Sequence, residues 1–326
     1  MSAALVSLFG ALVYGSADFL GGLAARRLRS IVVTAVAAAA GLVLLVVAYP
    51  VIGGEWLPAD VAWGALSGVT GAIAIVLLYA CLAIGPMSIL SPLTAVVSAI
   101  APIAWALVVE GETLTWTGYA GLGVALVAVV LVGFIPGEKV VRPSARGLLY
   151  AVGAGLAIGA FLIVIDRTSD ESGLVPLIVN RSVSAVITAA TVGVLTIVAV
   201  RAGRRASSVL AATPARLGAT PTGHADLEHA GIDAGGREPA AAARDAASRA
   251  SAWWLAIGCG ALDALANLML VFALRIGDLA IVSALTAMYP AGTILLAAVV
   301  LRERIAGVQW IGLVLALLAG GLLALG

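Results

Sequence analysis

Apolar residues run nearly unbroken along this 326-residue chain in ten stretches, roughly 3–23, 31–52, 61–83, 87–109, 117–135, 147–165, 176–200, 252–274, 279–301 and 307–325. Each is close to the length of about 20 residues that an α-helix needs to cross a bilayer. The breaks are short and carry turn chemistry, as in "GGEWLPAD", "DRTSDESG" and "RIGD". Trp56, Trp63, Trp105, Trp116, Trp253, Trp254 and Trp310 all fall near the ends of these stretches, where interfacial aromatic belts sit. The pattern predicts an all-α membrane protein of ten transmembrane helices. The first stretch lacks the basic n-region of a cleaved signal and is read as a permanent span.

One segment departs from this pattern. Residues 201–250 are rich in Ala, Gly and Pro with mixed charges, and read as a disordered linker within the second half. His224 and His229 lie there without a third ligand nearby in sequence, so no metal site is expected.

Composition supports the membrane reading: 62% of residues are hydrophobic and 11% charged, against about 45–50% and about 25% in soluble domains. A net charge of +1 gives no reason to expect a nucleic-acid partner. Cys81 and Cys259 sit inside apolar runs and read as small core residues rather than a disulfide. The single lysine, Lys139, among many arginines hints at a GC-rich bacterial source.

The chain also repeats itself. "YACLAIGPMSILSPLTAVVSAI" (79–100) matches "FALRIGDLAIVSALTAMYPAGT" (272–293) after a one-residue slide, pairing Gly85 with Gly277, Ser91 with Ser283 and Thr94 with Thr286. "GETLTWTGYAGLGVAL" (111–126) matches "RERIAGVQWIGLVLAL" (302–317), pairing Glu112 with Glu303 and Gly121 with Gly312. The expected units are 1–142 and 143–326, five spans each. An odd span count turns the second copy upside down in the membrane, the arrangement of alternating-access carriers with a site near the bilayer midplane.

These repeated runs resemble the two EamA repeats of the drug/metabolite transporter superfamily over nearly the whole chain except 201–250, an unusually long insert for that family. The resemblance implies two inverted five-helix halves around a cavity lined mainly by helices 1, 3, 4, 6, 8 and 9, with helices 5 and 10 as buttresses. Relatives of this kind move amino acids, sugars, nucleotide-sugars or drugs, so it implies no single substrate.

Asp18, Arg181 and Asp263 lie inside spans away from the ends. Each costs about 2.5–3.5 kcal/mol at mid-helix on insertion scales and should face water or the bundle interior. Asp263 is deepest, with Asn267 one turn on along the same face. It suits a proton carrier or a ligand for a cationic group, or else a structural hydrogen bond to a neighbouring helix. Asp18 could pair with Arg26 or reach interfacial water. Arg181 is expected to pair with Asp166, Asp170 or Glu171, and lies about 15 Å in depth from Asp18 by helix rise.

Pro92 and Pro102 in the fourth span and Pro290 in the ninth each free a carbonyl one turn earlier. Ser91, Thr94, Ser98, Ser283, Thr286 and Tyr289 lie nearby to satisfy such groups or meet a substrate, and Tyr14 and Tyr79 complete the candidate set. Interrupted helices at matching repeat positions point to a transport site. Gly64 with Gly68, and Gly155 with Gly159, read as close-packing pairs.

The leading expectation is therefore a secondary active transporter of a small metabolite or drug, working by alternating access, with proton-coupled export as one form of it. Its partners are a small-molecule substrate, the lipid bilayer and protons. No cofactor is expected, and there is no P-loop for ATP. A non-transporting scaffold or receptor, for which the 201–250 segment is the support, and an intramembrane enzyme built on Asp18 and Asp263 are the alternatives. The second is disfavoured, since their depths differ by about 8 Å. Arginines crowd the loops after odd-numbered spans, including Arg26, Arg27, Arg29, Arg142, Arg146, Arg302 and Arg304. The positive-inside rule then leaves both termini outside a bacterial cytoplasmic membrane.

Overall fold

A computed structural model describes residues 2–25, 27–84, 87–133, 144–210, 239–300 and 306–325. Its helices are α1 (Ser2–Ala25), α2 (Ser30–Ile52), α3 (Pro58–Ile84), α4 (Met87–Trp105), α5 (Trp116–Gly133), α6 (Ala145–Asp166), α7 (Val175–Arg201), α8 (Pro239–Ile276), α9 (Leu279–Thr286), α10 (Tyr289–Val300) and α11 (Gly307–Ala324). The described residues contain no β-strand. Seven of the described spans are long and apolar enough to cross a membrane, and Trp116–Val132 and Gly307–Leu323 are apolar but shorter. With α3, and with α9 and α10 sharing one span, the ten expected helices are present. Large apolar side chains such as Val47, Val108, Val299 and Leu317 stay exposed on the outside, as a lipid-facing surface requires. Trp56, Trp116 and Trp310 are exposed at or near helix ends, and Trp254 is exposed near the start of the apolar part of α8.

Four elements differ from the sequence reading. The fourth span is not interrupted: α4 runs continuously past Pro92 and Pro102 and changes only at Ala106–Glu110, to a π-helical turn. Extra width in the backbone ladder is one way a helix absorbs a nearby proline. The ninth span does break. Ala287 and Met288 separate α9 from α10 just before Pro290, whose ring cannot donate to the carbonyl of Thr286. The third difference is in the segment read as a disordered linker. Residues 239–249 extend α8, and Ala206–Val209 form a 3-10 turn whose Val209 is buried. Leu210 O accepts the Arg29 amide at 3.1 Å, tying this end to the α1–α2 turn. His224, His229 and the rest of 211–238 lie outside the described residues. The fourth difference, in which helices line the cavity, is taken up with the site.

Small residues set the helix spacing. A Cβ on Gly64 would lie 2.7 Å from Pro176 O, and one on Gly68 2.8 Å from Asn180 O, so α3 and α7 touch backbone to backbone. Gly155 and Gly159 do the same for α6 against α4, where their added Cβ atoms would meet Thr94 O at 2.8 Å and Ala101 Cβ at 2.8 Å. Between α2 and α8 the approach is tighter: a Cβ on Gly260 would stand 2.1 Å from Ala37 O. Such contacts replace the hydrophobic drive that is missing between helices in lipid.

Gly260→Ala is expected to destabilise the bundle by about 1–3 kcal/mol through overpacking. Gly123→Ala, whose added Cβ meets nothing within 4 Å, should leave thermal unfolding in detergent unchanged or slightly raised. Equal melting temperatures for the two variants would contradict the packing described.

Candidate functional site

Several helices carry polar groups at four-residue spacing, which places them on one face. Tyr14 and Asp18 lie one turn apart on α1, Asn180, Ser184 and Thr188 follow one another on α7, and Cys259, Asp263 and Asn267 do so on α8. All of these faces meet at one cavity of about 350 Å³. Ser283 and Thr286 of α9 and Tyr289 of α10 line it beside the helix break, with Ser98 of α4 and Phe161 of α6 also in the wall. The cavity extends to Ala25 and Ser30, at the α1–α2 turn.

An ion pair in the cavity joins Arg181 Nη2 to Asp263 Oδ2. Their side chains are 14% and 26% exposed, so both face the cavity rather than lipid. Asn267 Nδ2 donates to the Asp263 carbonyl at 2.7 Å and to its Oδ1 at 3.4 Å, fixing the carboxylate on its second side. The stem of Arg181 passes Gly41 of α2. This partner corrects the expectation that Arg181 pairs with Asp166, Asp170 or Glu171. Counted along the helices, Arg181 lies about 9 Å from the start of α7 and Asp263 about 20 Å from the end of α8, yet the two side chains meet, so helix rise alone does not give their separation. Tyr14 and Asp18 line the same cavity as Asp263 and Arg181. Asp18 and Arg181, separated by helix counting, therefore line one chamber.

The candidates divide clearly. Tyr14, Asp18, Asp263, Asn267, Ser283, Thr286 and Tyr289 come together at the cavity, joined by Arg181. Thr94 does not: it is buried, and its hydroxyl donates to Leu90 O at 3.0 Å and Ala151 O at 3.1 Å, pinning α4 to α6. Pro102 is buried against Gly159. Asp166 ends α6 beside Glu110, Glu112 and Arg167, away from the cavity. The side chains of Tyr79, Ser91 and Pro92 lie outside the described residues. Helices α2 and α7, absent from the lining that the resemblance implied, contribute substantially, as with Ser30, Thr34, Ser184 and Thr188. The polar stripe on α7 was visible in the sequence as Asn180, Ser184 and Thr188, but that it faces the cavity depends on packing.

The opposite end of the bundle is closed by polar links between the loops. Glu112 Oε1 accepts from Leu279 N at 2.9 Å and Oε2 from Ala280 N at 3.2 Å, capping α9. Burial pushes the Glu112 carboxyl up from its usual range, although the same two N–H groups pull it down. Arg167 pairs with Glu110, which also accepts from Trp105 Nε1 at 2.9 Å. Ser169 donates to both oxygens of the buried Asp60. Arg275 reaches Ser169 O and Gly173 O, each at 3.2 Å.

Compared with known proteins, residues 239–325 match the EamA-like transporter family. In sequence, this stretch is similar to the EamA-like transporters. It comprises the whole of α8 with α9, α10 and α11, in agreement with the resemblance to drug/metabolite transporters. The EamA-like segment supplies Asp263, Asn267, Ser283, Thr286 and Tyr289, while Tyr14, Asp18 and Arg181 come from outside it. No curated protein matches the chain in sequence. A solved structure titled "Crystal structure of protein" is 15% identical with a TM-score of 0.65, over 99% of this chain and 96% of that one. At that identity the likeness shows the fold alone. The chain is thus a multi-pass membrane protein with an EamA-like C-terminal segment.

Removing one member of the Arg181–Asp263 pair strands the other charge. Arg181→Gln and Asp263→Asn should each lower stability by about 3 kcal/mol. The double variant should lose much less than the sum, as measured by a double-mutant cycle on unfolding in detergent.

Proposed function

We propose that the protein is a secondary active transporter of a small molecule, using two inverted five-helix halves that rock about the cavity. The observation that carries this reading is the ion pair and its polar surroundings, held in a chamber between helices of both sequence repeats. The helix pairing supports the inverted halves. Exchanging each span for the one five places on converts α1 against α8 into α6 against α3. The same exchange converts α2 against α8 into α7 against α3, and α4 against α6 into the ninth span against α1; all of these pairs are in contact. Helices α5 and α11 pair with each other and run antiparallel, since Gly121 lies at Leu323 and Gly312 at Val132.

The chamber reaches the α1–α2 turn, while the loops joining α2 to α3, α6 to α7 and α8 to α9 are linked at the other end. This supports a state open on the arginine-rich side, the cytoplasm by the positive-inside rule, with both termini outside. Transport then requires the Glu112, Arg167 and Ser169 links to part as the other end closes. Protons are the proposed coupling ion, because protonating Asp263 dissolves its ion pair with Arg181 and loosens α7 from α8. A catalytic or purely scaffolding role has no observation in its favour.

A thermal-shift screen of the purified protein against amino acids, sugars, nucleosides and cationic dyes would supply a ligand, and its flux can be followed in proteoliposomes under an imposed pH gradient. The Arg181→Gln/Asp263→Asn double variant, with both charges removed, should reconstitute normally and lose at least tenfold in pH-driven flux. Undiminished pH-driven flux would remove the pair from coupling. A reporter active only outside the cytoplasm, fused after Gly326, should be active; silence there with activity from a cytoplasmic reporter would reverse the orientation.

A further inference from the structure

The Arg181–Asp263 pair can open to a ligand in two ways, and the chemistry of the side chains makes them unequal. A cation that took Asp263 would leave the guanidinium of Arg181 without its counter-charge, and arginine does not lose its proton in proteins. A carboxylate that took Arg181 would leave Asp263, which can be neutralised by one proton from water. Only the second exchange ends with every charge in the pair matched.

The donors in the chamber favour the same direction. Arg181 Nε and Ser283 Oγ are both buried without a hydrogen-bond partner among the described residues, and Ser283 is 0% exposed. Both residues line the cavity, and a guanidinium can only donate. Such orphaned groups are costly unless something fills them. Much of the remaining wall is apolar, including Val33, Ala37, Ala72 and Leu162.

Resting on the transporter reading and naming its substrate class, we propose that the cavity binds a small organic carboxylate with an apolar tail. The carboxylate replaces Asp263 on Arg181, Ser283 adds a further donor, and one proton enters with the anion onto Asp263. The anion brings one negative charge and the proton one positive, so the chamber's net charge is unchanged. Asp263 faces Arg181 from α7, Asp18 and Tyr14 from α1 and Cys259 from its own helix. Tyr289 lines the chamber from α10, while α2, α6 and α9 present no titratable side chain to it among the described residues.

The test uses the full chain in detergent and three probes with the same branched tail: 4-methylpentanoate, its neutral amide, and 3-methylbutylamine. The acid alone should raise the melting temperature, and its apparent affinity should strengthen as pH falls, by up to tenfold per pH unit for one linked proton. The Arg181→Gln/Asp263→Asn protein should stay folded and lose that response, and Ser283→Ala should weaken binding several-fold. Stabilisation by the amine and not the acid, or acid binding that survives the double variant or ignores pH, would overturn the proposal. Counterflow in liposomes separates the two readings. Acid binding without counterflow supports the ligand class and fails the transporter reading, whereas counterflow of the amine alone supports transport and fails the ligand class.

Discussion

Taking a carboxylate and a guanidinium out of water costs several kcal/mol per ion, and a lipid-facing position offers nothing in return. The helices around Asp263 are arranged so that neither group meets hydrocarbon. Arg181 comes from α7, Asn267 steadies the acid from one turn along α8, and the arginine stem crosses α2 at Gly41. That geometry requires α2 to press directly onto α8, and the close contact of Gly260 with Ala37 permits it. The small residues in the spans are thus tied to the charged site: bulkier side chains would push α7 and α8 apart and leave each ion alone.

The two ends of the bundle are built differently. At one end, carboxylates from the first half accept from backbone and side-chain donors of the second, with Glu112 on α9 and Asp60 on Ser169. Asp60 is buried and Glu112 half-buried, so these are charge-assisted hydrogen bonds partly shielded from water. At the other end the cavity runs out to the α1–α2 turn. The break between α9 and α10 sits at the chamber wall, so the backbone irregularity falls where it is surrounded by protein and polar groups.

The site is not symmetric even where the sequence repeat is. Asp263 aligns with Gly71, and Gly71 lines the same cavity with open space around it. One repeat thus brings an acid and the other clearance at corresponding positions. The EamA-like segment at 239–325 contains the acid, whereas its counter-ion Arg181 lies before it. Neither stretch carries the charged centre alone.

The ten spans, the Trp positions at their ends and the packing roles of Gly64, Gly68, Gly155 and Gly159 were legible in the sequence. Hydrophobic run length, interfacial preference and residue size are local properties that lipid imposes directly. The α-helical extension at 239–249 was missed because its Ala-rich, charged composition fits both a helix and a linker. The roles of Thr94 and Arg181 could not be read locally. A hydroxyl one turn after a free carbonyl can bond its own helix or the next, and helix rise gives a side chain's depth but not its reach or direction. The sequence by itself determined that charges stand inside the membrane-spanning helices and must find partners. Only the tertiary structure decided which partners, because that depends on helix rotation, tilt and the few ångströms of approach that glycine contacts allow.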